Sequence, residues 1–449
     1  MNGQLTTDIQ KSEVNDRIYP LFVIYHDSTV EVRDCNISSK NNRISSHIFP
    51  DVCFYIHNEK RSILEELNTH IFIQSVFIND FLTTVQNDIF GKIYLEKLFI
   101  SGSKGHAINI SNPHVVEIKE CVIENPAKSG INIRFSKEVA SKIPRRVLIE
   151  KNEINKGQSY GMSIFGENMK VQICDIYIIE NKISECRKDA IGIKNLNITQ
   201  IKIEKNQIFN NQGSGLFLQN VLDTSNLNQI KIIENKIIQS KMYGIALTDV
   251  PCFAEKNQVF QNEKGGVLIN GGEKLDNHHE YQFYKQYPLR TILNSNQINN
   301  NKDSGVIVIG GLKGPLILNS CEVYENMNGV YLKQAPLMLK TDAQSTTTST
   351  TSFILGDIVL EKCILFQNKL SGIHIKSITN KLYLKETSIS ENKNYALFLQ
   401  NEEQKESLVL RDAEKGKLRD YISGYIGGSW GVLHSQKVTT CKANKCAIF

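Results

Sequence analysis

The residues with the most specific chemistry in this chain of 449 residues are its last four. Cys446-Ala-Ile-Phe449 is a cysteine, two aliphatic residues and a terminal Phe, the arrangement that accepts a geranylgeranyl thioether on the cysteine. Cys441 adds a second acylation site, and Lys437, Lys442 and Lys445 attract an anionic leaflet, so the two signals that stable anchoring needs stand together. The expectation is peripheral attachment to a cytoplasmic membrane face. Position 2 is Asn, not Gly, which excludes N-myristoylation by its motif.

Carboxylates form the next group. Glu120, Glu180, Glu234 and Glu386 recur at one place in a repeat, and Glu150, Glu204, Glu255 and Glu361 one residue earlier. Stacked carboxylates can hold calcium or act as an acid–base pair. These stand beside Lys residues, which describes a solvated ladder of compensating charge. His278-His279-Glu280 contains metal-binding residue types, but adjacent histidines point apart on an extended chain. No catalytic residue, metal site or cofactor is expected.

A repeat must position all of these. Ile201-Lys-Ile-Glu-Lys-Asn-Gln-Ile-Phe209 and Ile230-Lys-Ile-Ile-Glu-Asn-Lys-Ile-Ile238 share one register. A small residue before a strand anchors each copy: Ala107, Gly130, Gly161, Ala190, Gly215, Gly244, Gly266, Gly305, Gly329, Gly372 and Ala396. The basic coil is 22 to 25 residues, lengthened in places by insertions. After the anchor, apolar residues alternate with period two (Ile191 and Ile193, Leu216 and Leu218), and two further aliphatic columns stand seven and twelve residues before it. Three short strands per coil is the expectation. Nine before the anchor lie Asn152, Asn181, Asn206, Asn235, Asn257 and Asn296, read as a corner ladder in which Asn takes the left-handed angles and stacked copies bond one another. The anchor Gly is read as a second tight bend.

This pattern resembles the right-handed parallel β-helix repeat family, the pectin-lyase-like superfamily. The resemblance implies an all-β solenoid with terminal caps. Coils are expected over 91–400, interrupted by insertions at 271–290 and 337–352. Residues 1–90 are expected to form degenerate coils or a cap with a short helix near Arg61–Leu67, residues 401–436 a C-terminal cap, and 437–449 a flexible tail. The superfamily's polysaccharide enzymes imply Asn-Thr-Asp, doubled Asp, Gly-His-Gly or Asp-Pro-His motifs. None occurs; Gly105-His106 and Asn112-Pro113-His114 come nearest, each read as a surface turn.

A net charge of +5 over this length points to no nucleic-acid partner, and no apolar run approaches the ~20 residues of a membrane span. The N-terminus lacks a basic stretch followed by an apolar one, and the ten cysteines show no paired spacing, so reduced buried thiols in a cytoplasmic protein are expected. The leading expectation is a non-enzymatic scaffold or structural rod, cytoskeletal or ciliary in setting, that binds other proteins through its sheet faces and loops. The alternative is a carbohydrate-active lyase, hydrolase or epimerase.

Overall fold

A computed structural model describes residues 20–25, 29–38, 52–57, 70–79, 83–87, 91–135, 145–167, 172–223, 229–271, 274–275, 290–334, 337–339, 352–353, 356–378, 381–400, 408–409 and 426–427. Every described strand pairing is parallel except one, between Leu337–Leu339 and Ser352–Phe353. One coil shows the plan. A first strand, Ile230–Ile233, turns into a second, Lys236–Ile238, and after another corner into a third, Tyr243–Thr248. Each strand pairs with its equivalent one coil on: Ile203 with Ile232, Ile208 with Ile237, Leu218 with Leu247. The second strands stack as a 13-stranded sheet. First and third strands join in a 28-stranded sheet, because some strands run unbroken from one coil into the next, as Ile191–Glu204 does.

The apolar columns fill the interior. Ile178, Ile203 and Ile232 from first strands, Ile183, Ile208 and Ile237 from second strands, and Ile193, Leu218 and Leu247 from third strands all belong to one buried cluster. The stack begins well before residue 91. Val23, Tyr55 and Gln86 are successive partners, as are Val32, Ile73 and Leu95, and Ile37, Ile78 and Ile100. At the other end Leu408–Val409 pairs with Leu382–Lys385, and Ile426–Gly427 with Tyr395–Leu399. The two long insertions meet, since Lys274–Leu275 pairs with Leu337–Leu339. Arg61–Leu67, His278, His279 and the tail from 428 lie outside the described residues.

Two details of the corners correct the sequence reading. The left-handed residue is not the Asn but the one before it. Lys151, Glu180, Lys205, Glu234, Lys256 and Ser295 have φ of 52° to 55°. Such angles cost a non-glycine residue about 1–2 kcal/mol. They turn the charged side chain out to water and the Asn inward, where hydrogen bonds offset that cost. Asn206 Oδ1 accepts from Asn181 N (2.9 Å) and Asn181 Nδ2 (3.0 Å), and its own Nδ2 donates to Asn235 Oδ1 (2.9 Å) and Ile178 O (2.9 Å). A second ladder at the other corner, buried at Asn262, Asn301, Asn326 and Asn368 and half-buried at Asn392, repeats the arrangement.

The anchor glycines, likewise, are not chosen for backbone angle, because none of them is among the glycines of positive φ. A Cβ on Gly266 would stand 2.5 Å from Gly305 O and 2.4 Å from Ile298 Cγ2. Absence of a side chain lets the coils stack there.

Candidate functional site

The inward columns use one side of each strand, and the other side faces away from the solenoid interior, where on the third strand Asn132, Ser163, Ala246, Leu268 and Ile307 are nonetheless buried. On the third strand the outward residue two after the anchor runs Asn109, Asn132, Ser163, Gly192, Phe217, Ala246, Leu268, Ile307, Tyr331, His374 and Phe398, each beside the next. The first three are a polar rung line: Asn132 Nδ2 donates to Asn109 Oδ1 (2.6 Å) and Ser163 Oγ to Asn132 Oδ1 (2.7 Å).

At Gly192 the character changes. The missing side chain lets the Tyr160 ring lie on the strand, its Cε1 3.0 Å from where a Cβ would be. Tyr160 meets Phe165 edge-on at 5.3 Å. Lys194 sits among the rings, its Nζ 4.5 Å from the Phe217 centroid, 5.5 Å from Phe165, 5.8 Å from Tyr160 and 3.5 Å from the Tyr160 hydroxyl. Lys188 Nζ lies 5.2 Å from the Tyr160 ring. Asp189 accepts from Ser214 N at 2.7 Å. Burial holds Asp189 and Tyr160 above their ordinary pKa and Lys194 below its own, so these three are displaced toward their neutral forms. Such a group can hold a ligand by ring faces and a cation, and its Tyr–Lys contact can pass a proton.

Beyond it the stripe turns apolar. Ala246, Leu268 and Ile307 form a small cluster outside the solenoid interior, with Phe217, Tyr243, Ile309 and Tyr331 packed on it. His374 closes the run between two rings, edge-on to Tyr331 at 5.1 Å and to Phe398 at 4.9 Å. Over seven coils, from Phe217 to Phe398, this outward position holds no charged residue unless His374 is protonated.

The carboxylate columns make no comparable site. Glu150 pairs with Lys151 (3.5 Å), Glu204 with Lys202 (2.7 Å), Glu361 with Lys385 (2.8 Å) and Glu120 with Lys97 (3.9 Å), at positions that keep contact with solvent, where a pair is worth about 0–1 kcal/mol. Among the described residues no three of His, Cys, Asp and Glu converge on a metal position. The residues of the corner ladder, Asn152 to Asn296, are interior bonds. Cys441, Cys446, Lys437, Lys442 and Lys445 lie outside the described residues.

His106 sits in a corner between strands. Its Nδ1 accepts from Ser129 N at 3.3 Å, and burial, with Lys128 and Arg134 close by, lowers its pKa to about 4. A depressed base favours the fold above its ordinary pKa near 6.5, and that contribution is lost as pH falls through about 4. We expect about 2 kcal/mol of stability, discounted for solvent, to disappear over that window. His106→Gln should remove this step from a series of unfolding curves recorded between those pH values.

The family model described as right handed beta helix region matches residues 106–279. The chain is a right-handed parallel β-helix. No curated protein matches it in sequence. Among solved structures, the β-helix is similar to a mutant of the periplasmic alginate epimerase AlgG, with 11% identity and a TM-score of 0.44, covering 80% of this chain and 84% of that one. It is also similar to the A-module of the mannuronan C-5 epimerase AlgE4 of Azotobacter vinelandii, with 13% identity and a TM-score of 0.43, covering 83% of this chain and 89% of that one.

Proposed function

We propose that this β-helix is a binding rod whose third-strand outer face recognises another protein. The observation that supports this most is the stripe from Phe217 to Phe398. Six inter-coil steps of about 4.8 Å give it a length of roughly 29 Å. Ala246, Leu268 and Ile307 are themselves buried, at 1%, 9% and 7% exposure, so the surface a partner would meet is the half-buried rings of Phe217, Tyr331, His374 and Phe398, aromatic side chains of the kind enriched in interface hot spots. Lys194 at one end and Lys333 beside Tyr331 favour a partner segment with acidic flanks. Attachment to a cytoplasmic membrane face through Cys446 belongs to the same reading and rests on sequence alone.

The expected result is that Phe217→Ser with Tyr331→Ser lowers the amount of a defined partner retained from the native cell by more than about tenfold, with the unfolding midpoint little changed. Undiminished retention would move the binding surface elsewhere. A second reading, action on a carbohydrate polymer, is favoured by the Tyr160, Lys194 and Asp189 group. Turnover of a uronate or neutral polysaccharide that is lost in Tyr160→Phe would replace the scaffold reading with that one.

A further inference from the structure

The interior holds one chemistry the binding reading does not use. Cys321 and Cys363 occupy the first-corner ladder position on neighbouring coils, where most other coils carry Asn. Ser320 N donates to Glu361 O and Ile364 N to Cys321 O, both at 2.9 Å, so the backbone is tied on either side of the pair. Adjacent strands lie about 4.8 Å apart, inside the roughly 4.4–6.8 Å Cα separation that a disulfide spans. Both side chains point inward, at 0% and 1% exposure.

Three of the other described cysteines face a residue of another type on the next coil. Cys121 N bonds Asn152 Oδ1, Cys186 N bonds Asn211 Oδ1, and Cys252 stands opposite Thr291. The pair also brackets the longest interruption of the stack, since the chain leaves the third strand Asn328–Lys333 and rejoins at Ile358–Glu361.

We propose that Cys321 and Cys363 form a disulfide site that staples the two coils on either side of this insertion. The oxidant is a small-molecule disulfide such as oxidised glutathione. The Cys321 thiolate attacks one of its sulfurs, forming a mixed disulfide and releasing one thiolate, which takes up the proton that Cys321 gave up. Cys363 then loses its proton and attacks the Cys321 sulfur, making the protein S–S bond and releasing the second small thiol. Two protein thiols are oxidised and one disulfide is reduced to two thiols. What is lost is weak: the thiol contacts of Cys321 to Leu293 O at 3.2 Å and of Cys363 to Leu318 O at 3.4 Å.

Because the thiols are buried, the full chain is refolded in glutathione buffers of graded ratio and its peptides mapped without reduction. The expected result is one cross-link, Cys321 to Cys363. It should form also in Cys121→Ala, be absent in Cys363→Ala, and raise the unfolding midpoint only where present. Where a variant does not refold, the same mapping on the wild-type chain refolded in those buffers gives the readout. Reduced thiols at both positions, or glutathione adducts alone, in a buffer that oxidises an unstructured dithiol peptide, overturn the proposal.

Discussion

Replacing Asn235 by Leu is expected to destabilise the β-helix by about 3–5 kcal/mol. Its Oδ1 accepts from Asn206 N (3.0 Å) and Asn206 Nδ2 (2.9 Å), and its Nδ2 donates to Ile203 O (2.9 Å) and Asn257 Oδ1 (3.0 Å). Leu leaves a backbone N–H and a carbonyl buried without partners and interrupts the ladder on both sides. Each such orphan costs about 1–3 kcal/mol. Asn235→Thr should be milder. Thr387 fills the same position in another coil and keeps a donor, its Oγ1 bonding Leu360 O at 3.0 Å. Gln207→Leu, on the exposed side of a second strand, should stay within about 0.5 kcal/mol. Denaturant midpoints measured on the three variants check the order, and an Asn235→Leu loss below about 1 kcal/mol would remove the ladder from the energetics.

Gly266→Val is the other change of large expected effect. The Cβ position is 2.5 Å from the Gly305 carbonyl oxygen of the next coil, a backbone atom that no side-chain rotation can clear. Overpacking of this kind costs about 1–3 kcal/mol and more where backbone must shift, so about 3–4 kcal/mol is expected for Val. Ala should cost about half as much, because Ala107, Ala190 and Ala396 occupy the same column and show that the stack can accommodate one methyl. Thermal unfolding of the two variants gives the comparison. Equal effects of Ala and Val would argue that conformational freedom, not coil spacing, selects Gly here.

The interior was largely legible in the sequence, because inward columns repeat residue type. Ile178, Ile203 and Ile232 differ by whole coils and always face the same way. The first Asn column was visible for the same reason. The left-handed residue was not, since Lys205, Glu234 and Ser295 were selected for what faces water and share no type. The second Asn ladder was obscured by Ser240, Cys186 and Gly157, small residues that replace Asn in the neighbouring coils, and by a spacing to the anchor that shortens by one at Asn326.

The outward stripe was missed because period-two alternation assigns one side of a strand to the core and treats the other as solvent. Phe217, Leu268, Ile307 and Tyr331 fall on that second side, and only parallel register places them side by side. A column-by-column reading of outward positions carries the signal, since seven successive coils there avoid the Lys and Glu that dominate beside the corners. The Tyr160, Lys194 and Asp189 group has no linear motif at all. Its members come from two coils and meet only because Gly192 lets a ring settle between them.

The binding face itself is tested most directly by photo-crosslinking in the native cell, with a photoreactive residue replacing Phe217 in one variant and Lys231, outward on a first strand, in another. The account predicts a discrete protein adduct from position 217 that competes away with unmodified chain, and none from position 231. Adducts from 231 alone, or none from 217 while the chain remains folded, would contradict it.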